Sequence, residues 1–259
     1  MKSLMFLGCV LFIFSSLTYA QNQSLVFGVL DIRPMVNIHK NKIETQKPGF
    51  IIELLLLLEK HLNIKIEFKI CPAKRCFVML AKGEIDGIPM ASFSPDRAKH
   101  FGAYPMLNGQ VDSARKVFDG SYALYTLKNS TLNWDGEKFS AVDLPIGVNL
   151  GFSVAGFLKE HGLSILENNS AQANMEMLLA KRVAGVAVFK SLGNAILKRD
   201  PRYKAIVMQP IPLTSKPYYM VLSHQLVKNK PQLAEDIWNG AAKIGPSLEY
   251  QKIIIEYLK

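Results

Sequence analysis

The chain has 259 residues, with 31 Lys and Arg against 21 Asp and Glu, a formal net charge of +10 and 49% apolar residues. With 17 Gly, 13 Pro and 3 Cys it falls outside the disordered, collagen-like and disulfide-dense classes. The length supplies a sizeable core, in one large domain or two small ones.

The first twenty residues read as a cleaved secretory signal peptide. Lys2 gives a positive start, Leu4 to Phe14 form an apolar run, and Thr18-Tyr19-Ala20 ends in a small residue, with cleavage expected after Ala20. The run is too short to span a membrane, and Cys9 sits in its middle, too early for lipidation. No later segment approaches 18 uninterrupted apolar residues, so the mature chain is expected to be soluble and exported. Losing Lys2 with the signal takes the net charge from +10 to +9. That excess favours anionic ligands or an acidic surface. Export, and the lack of a dense basic cluster with interleaved aromatics, argue against nucleic acid.

The elements then follow in order. A strand at Leu25–Leu30 precedes a helix at Phe50–Leu62, a strand at Ile64–Ile70, a helix at Pro72–Lys82, a strand at Ile85–Met90 and a helix at Pro95–His100. Polar stretches at 108–120 and 128–140 flank a strand at Ser121–Leu127, and a domain change is expected near Val117. Alternation resumes with a strand at Pro145–Val148, helices at Val154–His161 and Ala171–Lys181, a strand at Val183–Val188 and a helix at Leu192–Lys198. Strands at Ala205–Gln209 and Tyr218–Leu222 bracket a polar, Pro-rich return crossing, and helices at Pro231–Ile244 and Pro246–Leu258 close the chain. This alternation argues for an α/β architecture with mainly parallel sheets. Gly83 and Gly162 stand where helices end, and Pro72, Pro95, Pro231 and Pro246 where they begin. The Leu54–Leu58 run, apolar on every face, reads as a helix buried between a sheet and another layer.

Three segments carry chemistry. In Met90-Ala91-Ser92-Phe93-Ser94-Pro95-Asp96-Arg97, Ser94 is placed to cap a helix that starts at Pro95. Arg97 then falls in the first turn, where the helix dipole disfavours a cation. Arg97, the Ser92 hydroxyl and free N–H groups at a strand's carboxyl end suit a carboxylate; the alternative is a surface Arg near a capped helix. In Gly147-Val148-Asn149-Leu150-Gly151-Phe152-Ser153, Gly151 permits close backbone approach and Ser153 can cap or donate, although such turns are common. In Cys71-Pro72-Ala73-Lys74-Arg75-Cys76, Arg75 either reaches the cleft of Arg97 or is solvated; Arg33, after the first strand, is a weaker candidate of this kind. With the signal removed, Cys71 and Cys76 are the remaining cysteines, and they read as one disulfide or as two thiols. No His lies within ligand spacing of them, so neither a metal nor another cofactor is expected. Gly-x-Ser-x-Gly, P-loop, Gly-x-Gly-x-x-Gly and His-Glu-x-x-His motifs are missing and the five His are scattered, so an enzyme is not expected.

In order, Gly49-Phe50 with Glu53, Leu80-Ala81-Lys82-Gly83-Glu84-Ile85-Asp86-Gly87, Ser94-Pro95-Asp96-Arg97-Ala98-Lys99, Gly151-x-Ser153 and Lys181-Arg182-Val183-Ala184-Gly185-Val186 span nearly the whole mature chain. This set resembles the bacterial extracellular solute-binding proteins of family 3, the type that includes periplasmic polar-amino-acid receptors of ABC transporters. The resemblance implies a two-lobed periplasmic-binding-protein-like fold (type II), each lobe a mainly parallel sheet flanked by helices, with two hinge crossings. Lobe 1 would comprise residues 21–117 and 218–259, and lobe 2 residues 118–217. It implies that Arg97 and Ser92 take the ligand's carboxylate, that the backbone at Met90 takes an ammonium, and that Asn149, Gly151 and Ser153 add contacts from the second lobe. It also implies a periplasmic monomer that presents a closed form to an ABC-type permease or, alternatively, to a signalling receptor; an exported hydrolase is the remaining alternative. Two departures bear on the ligand. The second-lobe Asp that pairs with an amino acid's ammonium is replaced by Phe189, and Arg33-Pro34-Met35 stands where an aromatic commonly covers the ligand. An organic acid, or an aromatic carboxylate stacked on Phe189, is therefore expected over a standard α-amino acid.

Overall fold

The computed structural model describes residues 24–258; the predicted signal peptide and Cys9 lie outside the described residues. Two sets of parallel strands, each flanked by helices, form the molecule. In the first, β1 (Ser24–Val29) lies between β2 (Lys65–Ile70) and β3 (Gly87–Ser92), with α1 (Phe50–Leu62) and α2 (Ala73–Ala81) as crossovers and α3 (Pro95–His100) after β3. A long strand, β4 (Phe118–Leu127), leads to the second set. There β5 (Ile146–Asn149) lies between β6 (Ile165–Asn168) and β7 (Gly185–Phe189), with α4 (Val154–Glu160) and α5 (Ala171–Leu179) as crossovers. After α6 (Lys190–Arg199) and β8 (Ile206–Met208), β9 (Thr214–Leu222) returns, and α7 (His224–Asn229), α8 (Pro231–Ile244) and α9 (Leu248–Leu258) pack on the first set.

The nine strands run in the order β6-β5-β7-β4-β9-β3-β1-β2, with β8 on β4. Both sets join through β4 and β9, which pair antiparallel from Phe118–Tyr218 to Tyr122–Thr214. Beyond that shared stretch β4 pairs with β7 and β9 with β3. The connection between the lobes is thus two crossing strands, and the carboxyl ends of the parallel strands in both sets meet at one cleft. This is the two-lobed architecture expected. Among the described residues, no helix is long and apolar enough to cross a membrane.

Local chemistry explains the differences from expectation. The strand expected at Ile85–Met90 runs instead from Gly87 to Ser92. Asp86 turns into a connector, with its N–H on the Val26 carbonyl and its carboxylate accepting from the Val26 N–H. Within β3, Pro89 has no N–H for the ladder, and the register against β9 slips between Tyr219 and Val221 opposite it. Past that irregularity the pairing resumes and ends at Ser92 opposite Tyr218, with Ser92 buried. The polar stretches hold two-residue strands, one hairpin turning on Asn108-Gly109, both with positive φ. β6 and α7 are additions, the first a half-buried edge strand, the second capped by the Ser223 hydroxyl, which accepts from the Leu226 N–H. Of the Leu54–Leu58 run, Leu54, Leu55 and Leu58 are buried and Leu56 is exposed, so α1 keeps one solvent face. The expected start at Pro246 moves to Leu248, and Pro72 stands just ahead of α2.

Candidate functional site

A cavity of about 50 Å³ lies between the strand ends of both sets. Leu30 and Ile32 after β1, Ala73, Cys76 and Phe77 on α2, Met90 and Ala91 on β3, and Arg97 on α3 form one wall. Gly151, Phe152 and Ser153 after β5, Phe189 at the end of β7, and Tyr122 and Tyr218 on the crossing strands form the other. On α2 the spacing of 73, 76 and 77 places three lining residues on one helix face.

Arg97 is built into this cavity. The Ser94 hydroxyl accepts from the Arg97 N–H and starts α3. Arg97 Nη1 donates to the Ser92 carbonyl at 3.1 Å and to Ser92 Oγ at 2.9 Å. Tyr104 OH donates to the same Ser92 carbonyl at 2.9 Å, and the guanidinium lies 4.9 Å over the Phe77 ring. Nη2 crosses the cleft to the Gly151 carbonyl at 3.2 Å. Gly151 adopts φ +80°, and a Cβ there would lie 3.0 Å from Lys74 Cγ, so glycine serves both the turn and the approach of the walls.

The opposite wall is aromatic. Phe189 stacks on Tyr122 with ring centroids 4.3 Å apart, and Tyr218 and Phe152 meet its edges at 5.3 and 5.7 Å. Tyr218 OH donates to Tyr122 OH at 3.1 Å and lies 3.2 Å from Ser153 Oγ. Burial pushes both phenols above their ordinary range, so at neutral pH they are uncharged hydroxyls. Arg97 is therefore the one formal charge among the lining residues, which include no Asp, Glu, His or Lys.

The expected residues divide. Arg97, Met90, Gly151, Ser153 and Phe189 line the cavity, and Ser92 and Ser94 brace Arg97 from behind. Cys71 and Cys76 are bridged, with Cα atoms 5.5 Å apart. Three residues do not reach. Arg33 is held by the Asp31 and Glu44 carboxylates at 3.1 and 2.8 Å and by the Ile38 carbonyl, and it lines a separate cavity with Asp31 and His39 rather than the one lined by Leu30 and Ile32. Arg75 is exposed, off the α2 face that carries 73, 76 and 77. Asn149 is buried toward its own lobe, where its Oδ1 accepts from Asn174 Nδ2 at 3.1 Å. Tyr122, Tyr218, Phe152 and Phe77 were not singled out from sequence. Their signal was the aromatic content of the crossing strands, of the turn after Gly151 and of α2 just past Cys76.

The family model described as bacterial extracellular solute-binding proteins, family 3, matches residues 25–259. No curated protein matches the sequence. Among solved structures, the chain is similar to a histidine kinase sensor domain with similarity to periplasmic binding proteins, at TM-score 0.71 and 17% identity, covering 92% of this chain and 96% of that one. It is also similar to the substrate-binding protein of an amino acid ABC transporter, at TM-score 0.68 and 18% identity over 90% and 98% of the two chains. A third is an ancestral amino acid-binding protein described as a precursor of cyclohexadienyl dehydratase, at TM-score 0.68 and 20% identity over 91% and 95%. At these identities the likeness speaks to the fold alone.

Proposed function

Since the chain belongs to the bacterial extracellular solute-binding proteins of family 3, we propose that it is a periplasmic receptor for a small carboxylate with an apolar, flat body and no ammonium group. The observation that carries this reading is the single Arg97 charge in an otherwise uncharged, aromatic cavity. A partly desolvated cation favours an anion beside it. An α-ammonium would find no carboxylate among the lining residues, and Phe189 occupies the position expected of one. A carboxylate would take the place of the Gly151 carbonyl on Arg97 Nη2, with the ring between Phe189, Phe152 and Phe77.

About 50 Å³ holds no more than a few waters. The ligand therefore gains access by separation of the lobes, which we place at residues 21–117 with 218–259 and at 118–217, bending where β4 and β9 cross. Binding without turnover fits a lining that offers protonated phenols and an arginine but no general base near neutral pH. We assign the protein to capture for an ABC-type uptake system. The likeness to a kinase sensor domain supports, as a second reading, delivery of the ligand to a signalling receptor.

Calorimetry with 3-phenylpropionate, phenylalanine and succinate tests the ligand class. We expect 3-phenylpropionate to bind most tightly, and Arg97→Ala to weaken it by about 2–5 kcal/mol. Tighter binding of phenylalanine, or undiminished binding by the variant, would refute the assignment.

A further inference from the structure

We infer that the Cys71–Cys76 disulfide is a positioning element of the cleft: it fixes the first turn of α2, and that turn sets the seating of the opposite lobe. The proposal concerns the unliganded protein and does not rest on the ligand class assigned above.

The start of α2 is poorly supported by its own sequence. Pro72 at the cap makes no side-chain hydrogen bond to the helix, and the first turn has no acidic residue. It carries Lys74 and Arg75 instead, both unfavourable at the positive end of the helix dipole. The disulfide joins the residue before Pro72 to the fourth residue of this helix, so a covalent bond holds what capping does not. Both cysteines are buried, at 3% and 1% exposure.

Three contacts of the cleft depend on that turn. Phe77, the next residue, lies under the Arg97 guanidinium. Ala73 and the Lys74 backbone are where a Gly151 Cβ would make contact at 3.4 Å, so this turn is the surface on which the opposite wall rests. Lys74 Nζ lies 3.5 Å from Glu167, whose other carboxylate oxygen accepts from the Gly151 N–H at 3.4 Å. Reduction by a dithiol would convert the bridge to two thiols, with the reductant becoming the cyclic disulfide. The turn would then be free to fray, and Gly151 would lose its seat although no residue of its own lobe had changed.

Hydrogen exchange followed by mass spectrometry on the unliganded protein, oxidised and after dithiothreitol, reads this directly. We expect exchange to quicken by about threefold or more in residues 73–77 and, across the cleft, in residues 149–155, with α8 unchanged. A Cys71→Ala/Cys76→Val variant, which keeps apolar volume but not the bond, should match the reduced protein. Quickening confined to 71–77 would overturn the coupling. Quickening throughout, α8 included, would make the bridge a general stabiliser and overturn it equally. Retention of the oxidised rates by the double variant would show that the bond is not required.

Discussion

The two walls of the cleft are made of different materials. The wall from the first set of strands is polar where it matters: Arg97 is tethered by Ser92, started by Ser94 and braced by Tyr104 through a shared carbonyl. The wall from the second set is a stack of rings and a glycine turn, with Phe189 on Tyr122 and the Gly151 carbonyl as its one bond to Arg97. On the proposed reading, the first wall selects charge and is complete in itself, whereas the second selects shape and acts only on closure. A hydrogen-bonded arginine is held by direction, a ring stack by volume, so the two walls should fail differently when altered.

The strongest test moves a charge to the wrong wall. Phe189 is 3% exposed and meets three other rings, so Phe189→Asp leaves a cavity and buries a carboxylate. We expect a loss of about 3–5 kcal/mol in urea unfolding. In the protein that remains folded, phenylalanine should gain on 3-phenylpropionate, because the ammonium acquires a counter-charge. A variant as stable as the parent, or with unchanged preference, would show that the aromatic wall sets neither packing nor selectivity.

A smaller change tests the contact between the walls. Gly151→Ala must hold alanine at φ +80° and press its Cβ toward Lys74 Cγ. We expect about 1–2 kcal/mol of lost stability from the backbone alone. The closed population should also fall, visible as a larger radius of gyration in small-angle scattering. An unchanged radius would mean that the turn is not the point of closure.

The sequence carried the first wall further than the second, for a physical reason. Ser92, Ser94, Pro95 and Arg97 lie within six residues, and their roles follow from capping and the dipole, which are local. The strand–helix alternation was legible for the same reason, since periodicity is local; α1, α3 and α8 fall where expected. The ring stack gathers residues 122, 152, 189 and 218, which the pairing of β4 with both β7 and β9 brings together. Arg33 and Arg75 carried the same local signal as Arg97, and neither reaches the cavity. Partners at Asp31 and Glu44 hold the first, and helix rotation turns the second away. Charge in a sequence marks a candidate; direction comes from the fold.

The mildest test addresses a single phenol of the second wall through pH. In the first wall burial also holds the Tyr104 phenol above its ordinary value, so both walls respond to alkali. The second contains Tyr122 and Tyr218, whose phenols burial holds above the ordinary value, while in the unfolded chain they titrate near 10. A folded-state pKa raised in this way leaves stability whole below about pH 10 and erodes it as pH climbs from there toward the folded value. Each such phenol removes at most about 1.4 kcal/mol per pH unit over that window. Tyr218→Phe deletes one of them, together with the hydroxyl contacts to Tyr122 and Ser153. The variant should therefore be slightly less stable than the parent at pH 7, by about 1 kcal/mol. Its stability should fall less steeply from pH 10 to 11, so the two curves converge. Urea titrations at pH 7, 10 and 11 read both slopes, and parallel curves would show that the Tyr218 phenol ionises as freely in the folded protein as in the unfolded chain.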